Sequence, residues 1–203
     1  LRKAKIERNL RWQQEGLMVG SFNCAGISYF KLKTVLETHT LDVLCVQETW
    51  LPKSPVQLDI PGYLVYEERR ANDRRGGIAV LVKKGMKVRK YVGNEYAQGL
   101  GIQGHGGETI WIGNVYLPPA TNLETRGLDK ENAKTSIEDI LGNIPPNSRT
   151  VVCGDWNTRV GNLHPKIGEN VVLRQSEDTN INARAQWVIG LCESNSWYIL
   201  NGI

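Results

Sequence analysis

Four strand-length apolar runs, each stopping at a polar residue, constrain this 203-residue chain more than any other feature. Residues 17–22 lead to Asn23, and residues 42–47 (DVLCVQ) lead to Glu48. TIWIGNVYL over 109–117 carries Tyr116 near its end, and VVCGDWNT over 151–158 carries Asp155 and Asn157. Short runs of Val, Ile, Leu and Cys bounded by polar residues read as buried strands. Strand ends in layered sheets converge at one edge, which is where sites are built. The polar residues that stop the runs are therefore the candidates for chemistry.

The segments between these runs supply the rest of the architecture. Leu32, Val35 and Leu36 fall at helical spacing within 30–38. YLVYEE from Tyr63, GIAVLVKK, a turn at Gly85 and MKVRKY alternate in the manner of antiparallel hairpins. The glycine-rich stretch 99–107 reads as a turn between strands and lacks the spacing of a phosphate-binding loop. The best helix is 129–141, with Asp129 as its cap and Ala133, Ile137, Ile140 and Leu141 on one face. Residues 161–180 read as a polar loop. Ala185, Val188, Ile189 and Cys192 mark a last helix, and WYIL at 197–200 starts a further strand. Mixed strands and helices with hairpins in the middle predict a layered α/β fold with substantial antiparallel sheet. One domain is expected over 17–203, behind a basic lead-in at 1–16 that is either helical or a linker.

The formal net charge is +4, which is compatible with a polyanionic partner without demanding one. Its distribution says more. Arg69, Arg70, Arg74 and Arg75 cluster in one loop, and Lys83, Lys84, Lys87, Arg89 and Lys90 follow closely. Each run alone reads as a solvated surface; two so near each other point towards phosphate contacts, with Arg70, Arg74 and Arg75 as candidate DNA-binding residues. Cys24, Cys45, Cys153 and Cys192 form no CxxC pair and read as small core residues of a reduced, intracellular protein. His39, His105 and His164 read as surface or loop residues. No apolar run approaches a membrane span, and residues 1–16 carry no secretory signal. The chain opens at Leu1, as expected of a piece of a longer polypeptide.

In VVCGDWNT, Asp155 and Asn157 stand two apart, so in an extended segment their side chains share one side. A carboxylate can orient a nucleophile, and a neutral amide beside it can donate to an oxyanion without adding repulsion. The same residue types also make ordinary turns after a strand. With Glu48 and Asn23 they form an oxygen-rich set that suits a hard divalent cation, Mg²⁺ or Mn²⁺. No Ser-His-Asp order and no catalytic cysteine environment competes with that reading.

The ordered stretches FNCAG, DVLCVQET, GGIAVLV, NVYLPP and GDWNTRVG resemble the endonuclease/exonuclease/phosphatase superfamily. Within it, the helix ending in LCESNSWYILNG is most similar to the endonuclease domain of LINE-type (non-LTR) retrotransposons. The resemblance runs from about Met18 onward, and its specificity lies in the ordered set. It implies a DNase I-like sandwich of two mixed, largely antiparallel sheets packed face to face with helices outside. It also implies phosphodiester hydrolysis, with Glu48 as principal Mg²⁺ ligand and Asn23 helping to position the metal or a phosphate oxygen. Asp155 would orient the attacking water, Asn157 would bond the scissile phosphate, and Tyr116 would stabilise developing charge. The implied partners are DNA and, in the same polypeptide, a reverse transcriptase; the implied location is nuclear.

Departures from the family pattern are expected to matter. Ala25 stands where an auxiliary ligand is frequent, and Pro119 stands where an asparagine is frequent. The family's late Asp-containing strand and Ser-Asp-His segment, with the general base, would follow Ile203, so the chain is expected to lack its last strands and to be impaired alone. Two other readings stay open: a non-catalytic nucleic-acid-binding remnant, and a repair-type abasic-site nuclease or phosphatase of the same superfamily.

Overall fold

A computed structural model describes residues 16–52, 54, 57–70, 75–104, 107–119, 130–169 and 175–200. Residues 1–15 of the basic lead-in, Arg74, His105 and Asp129 lie outside these residues. Two compact units are distinguished, Leu1–Trp156 and Asn157–Ile203.

The first unit is built on strands whose two faces are both covered. In β2 (Val43–Gln47) every residue is buried. Its Val43 and Cys45 join Val80, Val82, Leu100, Ile102 and Ile112 in one core, while Leu44 and Val46 join Leu32, Leu36, Ala79 and Leu81 in another. That is why DVLCVQ is continuously apolar instead of alternating. Sheet one orders β1 (Val19–Asn23), β2, β4 (Ile78–Lys83) and β3 (Tyr63–Glu68), with β1 parallel to β2 and the other pairs antiparallel. Sheet two orders β5 (Val88–Gly93), β6 (Ala97–Gln103), β7 (Thr109–Tyr116) and β8 (Arg149–Asp155), antiparallel except for the parallel β7–β8 pair. The first core lies between the sheets; the second lies under helix α1 (Tyr29–His39). The expected face-to-face sandwich with outer helices is thus the observed fold.

Each parallel pair is joined by a crossover helix, as parallel pairing requires. Helix α1 connects β1 to β2. The Ser28 hydroxyl caps it by accepting from the Lys31 N–H at 3.2 Å, and left-handed Thr40 closes it with its N–H on the Leu36 carbonyl. Helix α2 (Lys130–Leu141) connects β7 to β8 and packs on β6 through a face containing Ala133, Ile137 and Leu141. Parallel pairing brings the carboxyl ends of β1 and β2 together, and those of β7 and β8 likewise.

The structure corrects three local expectations. Residues 97–103 form β6, so the glycine stretch is largely strand; the turn follows it, where the Gly104 N–H meets the Glu108 carbonyl at 2.8 Å. Gly99 and Gly113 sit opposite each other in register. A Cβ on Gly99 would lie 3.2 Å from the Val92 side chain, and one on Gly113 3.1 Å from Val152 and 3.3 Å from Leu141 of α2, so these glycines make room for neighbouring side chains instead of turning the chain. Strand β8 ends at Asp155, so the extended run expected to carry both Asp155 and Asn157 stops short of Asn157. Residues 197–200 form no strand.

In the second unit, an antiparallel bridge joins Val160 to Ile181, and the Asn182 N–H donates to the Arg159 carbonyl at 2.9 Å. Helix α3 (Ala185–Asn195) follows and ends at left-handed Ser196, whose N–H reaches the Cys192 and Glu193 carbonyls. Among the described residues, no helix is long and apolar enough to cross a membrane.

Candidate active site

Regular pairing of β1 with β2 ends at Asn23 opposite Gln47. The next three residues of the chain remain held from both sides. The carbonyls of Glu48 and Thr49 accept from Gly26 and Ile27 at 2.8 and 2.9 Å, and the N–H groups of Thr49 and Trp50 donate to Gly77 and Gly76 at 3.1 and 2.8 Å. Within this frame Glu48 takes φ 55° and Trp50 φ 51°, and neighbouring Ala25 takes φ 42°. Such left-handed backbone is uncommon for residues with a Cβ and persists where surrounding bonds over-determine it. The glycines make the frame possible. A Cβ on Gly26 would lie 2.9 Å from the Trp50 ring, and one on Gly77 2.6 Å from the Thr49 hydroxyl. The result turns Thr49 inward and leaves the Glu48 and Trp50 side chains at the sheet edge.

Glu48 there meets side chains from two strands, Asn23 of β1 and Tyr116 of β7, and that of Trp50. The Asn23 carbonyl oxygen accepts the Ala25 N–H at 3.1 Å, which turns the amide nitrogen towards the acids. That nitrogen donates to Glu48 Oε1 at 2.9 Å and to Asp155 Oδ2 at 2.7 Å. Glu48 Oε2 accepts from Trp50 Nε1 at 3.2 Å. The Tyr116 hydroxyl also bonds the Glu48 carboxylate. Burial, the Glu48 and Asp155 charges and that hydrogen bond push the Tyr116 phenol well above its ordinary range; the nearby Arg70 charge opposes them. The phenol is accordingly a neutral donor at physiological pH.

The β7–β8 register sets Tyr116 opposite Asp155. Gly154 has φ 144°, and a Cβ there would overlap the Val115 carbonyl oxygen. Only glycine lets β8 approach closely enough to deliver Asp155 to Asn23. Asn23, Glu48, Tyr116 and Asp155 are thus brought together from two sheets.

The remaining candidates stand differently. Asn157 opens the second unit with φ 44°, so the alternation of an extended strand ends at Asp155 and does not extend to it. Its carbonyl accepts from Asn182 Nδ2 at 3.3 Å. Arg70 is only 5% exposed, which removes it from the solvated surface expected of a DNA contact. Its Nε pairs with Glu95 at 3.0 Å, its Nη2 donates to the Tyr96 hydroxyl at 3.1 Å, and its guanidinium lies over the Tyr96 ring. Arg75 is exposed, with its guanidinium carbon 5.9 Å from the centroid of the Trp50 ring. Sequence reasoning did not single out Trp50, although its place two residues after Glu48 in QETW was a usable signal.

Glu48 and Asp155 supply hard, acceptor-only oxygens that fit a Mg²⁺-type cation. That ion ordinarily takes one or two carboxylates and keeps waters for its remaining positions. Among the described residues no cluster of three or more His, Cys, Asp or Glu side chains forms an all-protein cage. Asn23 as oriented presents a donor, so the carboxylates are the ligand candidates.

Two packed mixed sheets with an acid–amide–acid cluster at their strand ends define a DNase I-like hydrolase fold. Residues 20–175 match the Endonuclease/Exonuclease/phosphatase family, and the chain belongs to that family. That family comprises endonucleases, exonucleases and phosphatases, and the chain spans less than two thirds of the length of several solved structures of its fold. Solved structures of the same fold include the endonuclease domain of TRAS1, a telomere-specific non-LTR retrotransposon, at 18% identity and TM-score 0.63, covering 91% of this chain and 75% of that one. The Xenopus laevis APE2 catalytic domain has 20% identity and TM-score 0.57, over 85% and 66%. An AP endonuclease from Archaeoglobus fulgidus has 19% identity and TM-score 0.53, over 71% of this chain and 58% of that one. No curated protein matches the sequence significantly.

Proposed function

We propose that the chain is the core of a divalent-metal-dependent DNA endonuclease of retrotransposon type that nicks one strand. The observation that carries this reading is the Asn23 amide bridging Glu48 and Asp155, with Tyr116 on the same carboxylate. Glu48, with Asp155 beside it, would hold Mg²⁺ or Mn²⁺, which when bound supplies Lewis acidity at a phosphate oxygen. Asp155 accepts a hydrogen bond from the attacking water and orients it. The Asn23 amide fixes both acids in one geometry without adding charge. The neutral Tyr116 phenol donates towards the negative charge that develops on the phosphate. Asn157, carried over from the family pattern, donates to the scissile phosphate. The likeness to the endonuclease domain of TRAS1 supports a DNA partner; the retrotransposon reading further implies a reverse transcriptase in the same polypeptide and a nuclear location.

The test is nicking of supercoiled plasmid with and without Mg²⁺, beside cleavage of an abasic oligonucleotide. Mg²⁺-dependent nicking of undamaged DNA, lost in Glu48→Gln, supports the reading. Cleavage confined to the abasic site would instead make it a repair-type nuclease. Salt-dependent DNA binding with neither cleavage nor Mn²⁺ binding would make it a non-catalytic binding module.

A further inference from the structure

Cys45 and Cys153 face each other inside the sandwich, one from each sheet. Cys45 of β2 is fully buried in the core that Val43, Val80, Leu100 and Ile112 form, and half-buried Cys153 of β8 packs against that core. The two thiols share a hydrogen bond. Cys45 Sγ lies 4.0 Å from the Gly113 carbonyl of β7, and the β7–β8 register sets Cys153 opposite the next residue, Asn114. Packed sheets ordinarily stand about 10 Å apart. Strands β2 and β8 come within 8 Å of each other at Cα. A disulfide spans Cα atoms only about 4.4–6.8 Å apart, so local narrowing of this kind is what lets one bridge two sheets. Cys24 stands apart, in the other core, with its thiol on the Gln47 and Glu48 carbonyls.

We propose that Cys45 and Cys153 are a reversible modification site, joined by a disulfide when the protein meets hydrogen peroxide, and that the bond braces sheet one against sheet two. Cys153 is the member that solvent reaches, so it reacts first. Its sulfur attacks a peroxide oxygen, the O–O bond breaks, and one water leaves a sulfenic acid behind. The Cys45 sulfur then attacks the Cys153 sulfur. The S–S bond forms, the S–O bond breaks, and the departing hydroxide takes the Cys45 proton as a second water. Two thiols thus lose two electrons, and one peroxide gains them. The bond ties β2 three residues before Glu48 to β8 two residues before Asp155, and the loop it closes holds more than half of the chain. Closing so long a loop restricts the unfolded chain strongly, so the oxidised fold is the more stable one. This pairing is independent of what the site above it cleaves.

The experiment treats the purified chain with a small excess of hydrogen peroxide under native conditions. Remaining thiols are alkylated in urea, and the digest is mapped without reduction. One linked Cys45–Cys153 peptide is expected, with the other two of the four cysteines alkylated, and dithiothreitol should reverse the link. The oxidised protein should unfold at a higher urea midpoint than the reduced one, a difference lost in Cys45→Ala. In Cys45→Ala the Cys153 sulfenic acid has no thiol to resolve it and should be trapped by dimedone. In Cys153→Ala, buried Cys45 should stay reduced. The wild-type map requires no variant, so a variant that folds poorly does not weaken the test. Wild type whose Cys153 resists peroxide or runs on to sulfinic acid, with no linked peptide, overturns the inference. Links scattered among all the cysteines overturn it as well, as does an oxidised form no more stable than the reduced one.

Discussion

Asn114 and Gln98 face each other in register across β7 and β6, and Asn114 Nδ2 donates to Gln98 Oε1 at 3.0 Å with both residues fully buried. The same amide nitrogen reaches the Val46 and Ala79 carbonyls, and Asn114 Oδ1 accepts from Gln47 Nε2 at 2.7 Å. Gln98 continues the chain to the Tyr66 carbonyl and the Tyr91 hydroxyl. One asparagine therefore pins sheet two to sheet one. It does so directly beneath the site, since Gln47 precedes Glu48 and Asn114 stands two residues before Tyr116. Asn114→Ala leaves several buried groups without their partner. It should cost about 3 kcal/mol in urea unfolding, by the usual penalty for orphaned buried polar groups. A loss under about 1 kcal/mol would mean that water replaces the amide and that the network does not fix the sheets.

Glu48 and Asp155 converge on one amide nitrogen, an arrangement that concentrates negative charge at one point, as the proposed cation site requires. Glu48→Gln keeps the shape and relieves that repulsion. Metal-dependent phosphodiester cleavage should fall by at least about a hundredfold, the scale expected for losing a charge-stabilising group, while thermal stability stays level or rises slightly. Calorimetric Mn²⁺ titration provides the second readout: the variant should bind the ion more weakly than wild type. Undiminished binding would remove Glu48 from the ligand set.

Legibility in the sequence followed the physics of each element. The strands of the core were readable because burial on both faces leaves uninterrupted apolar runs, as in β2 and β4. Helix α1 was readable from Leu32, Val35 and Leu36, with Leu32 and Leu36 packed against sheet one. Strand β6 was not, because Gly99 and Gly101 imitate a turn. Their cause is the packing of the Val92 side chain on Gly99 and of the Thr109 and Trp111 side chains on Gly101, which no local pattern records. Asn23, Glu48, Tyr116 and Asp155 were readable as polar residues ending apolar runs. The burial of Arg70 was not, because its ion pair is with Glu95, a quarter of a hundred residues on in sequence. The left-handed turn of Glu48 and Trp50 was likewise hidden, since it depends on loops 24–27 and 76–77 closing from opposite sides.

Gly154 gives a sharper test of how Asp155 is delivered. Alanine there combines an unfavourable φ with overlap of a backbone carbonyl, neither of which a side-chain shift can relieve. Gly154→Ala should therefore cost on the order of 3 kcal/mol or more and reduce any cleavage activity with it. Gly62 is the control, with φ 85° and open space around the added methyl. Gly62→Ala carries backbone strain alone and should cost about 1 kcal/mol. Chemical denaturation of the two variants side by side measures the difference. Equal losses would mean that β8 can retreat from Val115 without consequence.

The tyrosines set the alkaline limit of the fold. Burial raises Tyr66, Tyr91, Tyr96 and Tyr116 above the ordinary phenol value of 10.0, and the bond to Glu68 adds to the effect at Tyr91. The folded protein thus retains phenol protons that the unfolded chain releases. Above about pH 10 the unfolded state binds fewer protons, so the slope of unfolding free energy against pH is negative. The stabilisation is complete below that pH and is lost as pH climbs towards the folded-state values. Melting temperatures across the alkaline range should fall steeply from about pH 10 upward. Tyr91→Phe should start from a lower melting temperature, having lost its bonds with Glu68 and Gln98, yet fall less steeply with pH. Cleavage, where measured over the same range, should have no inflection from Tyr116 below about pH 10. A melting temperature level through that range, or a variant as steep as wild type, would mean that the phenols ionise within the fold at no cost.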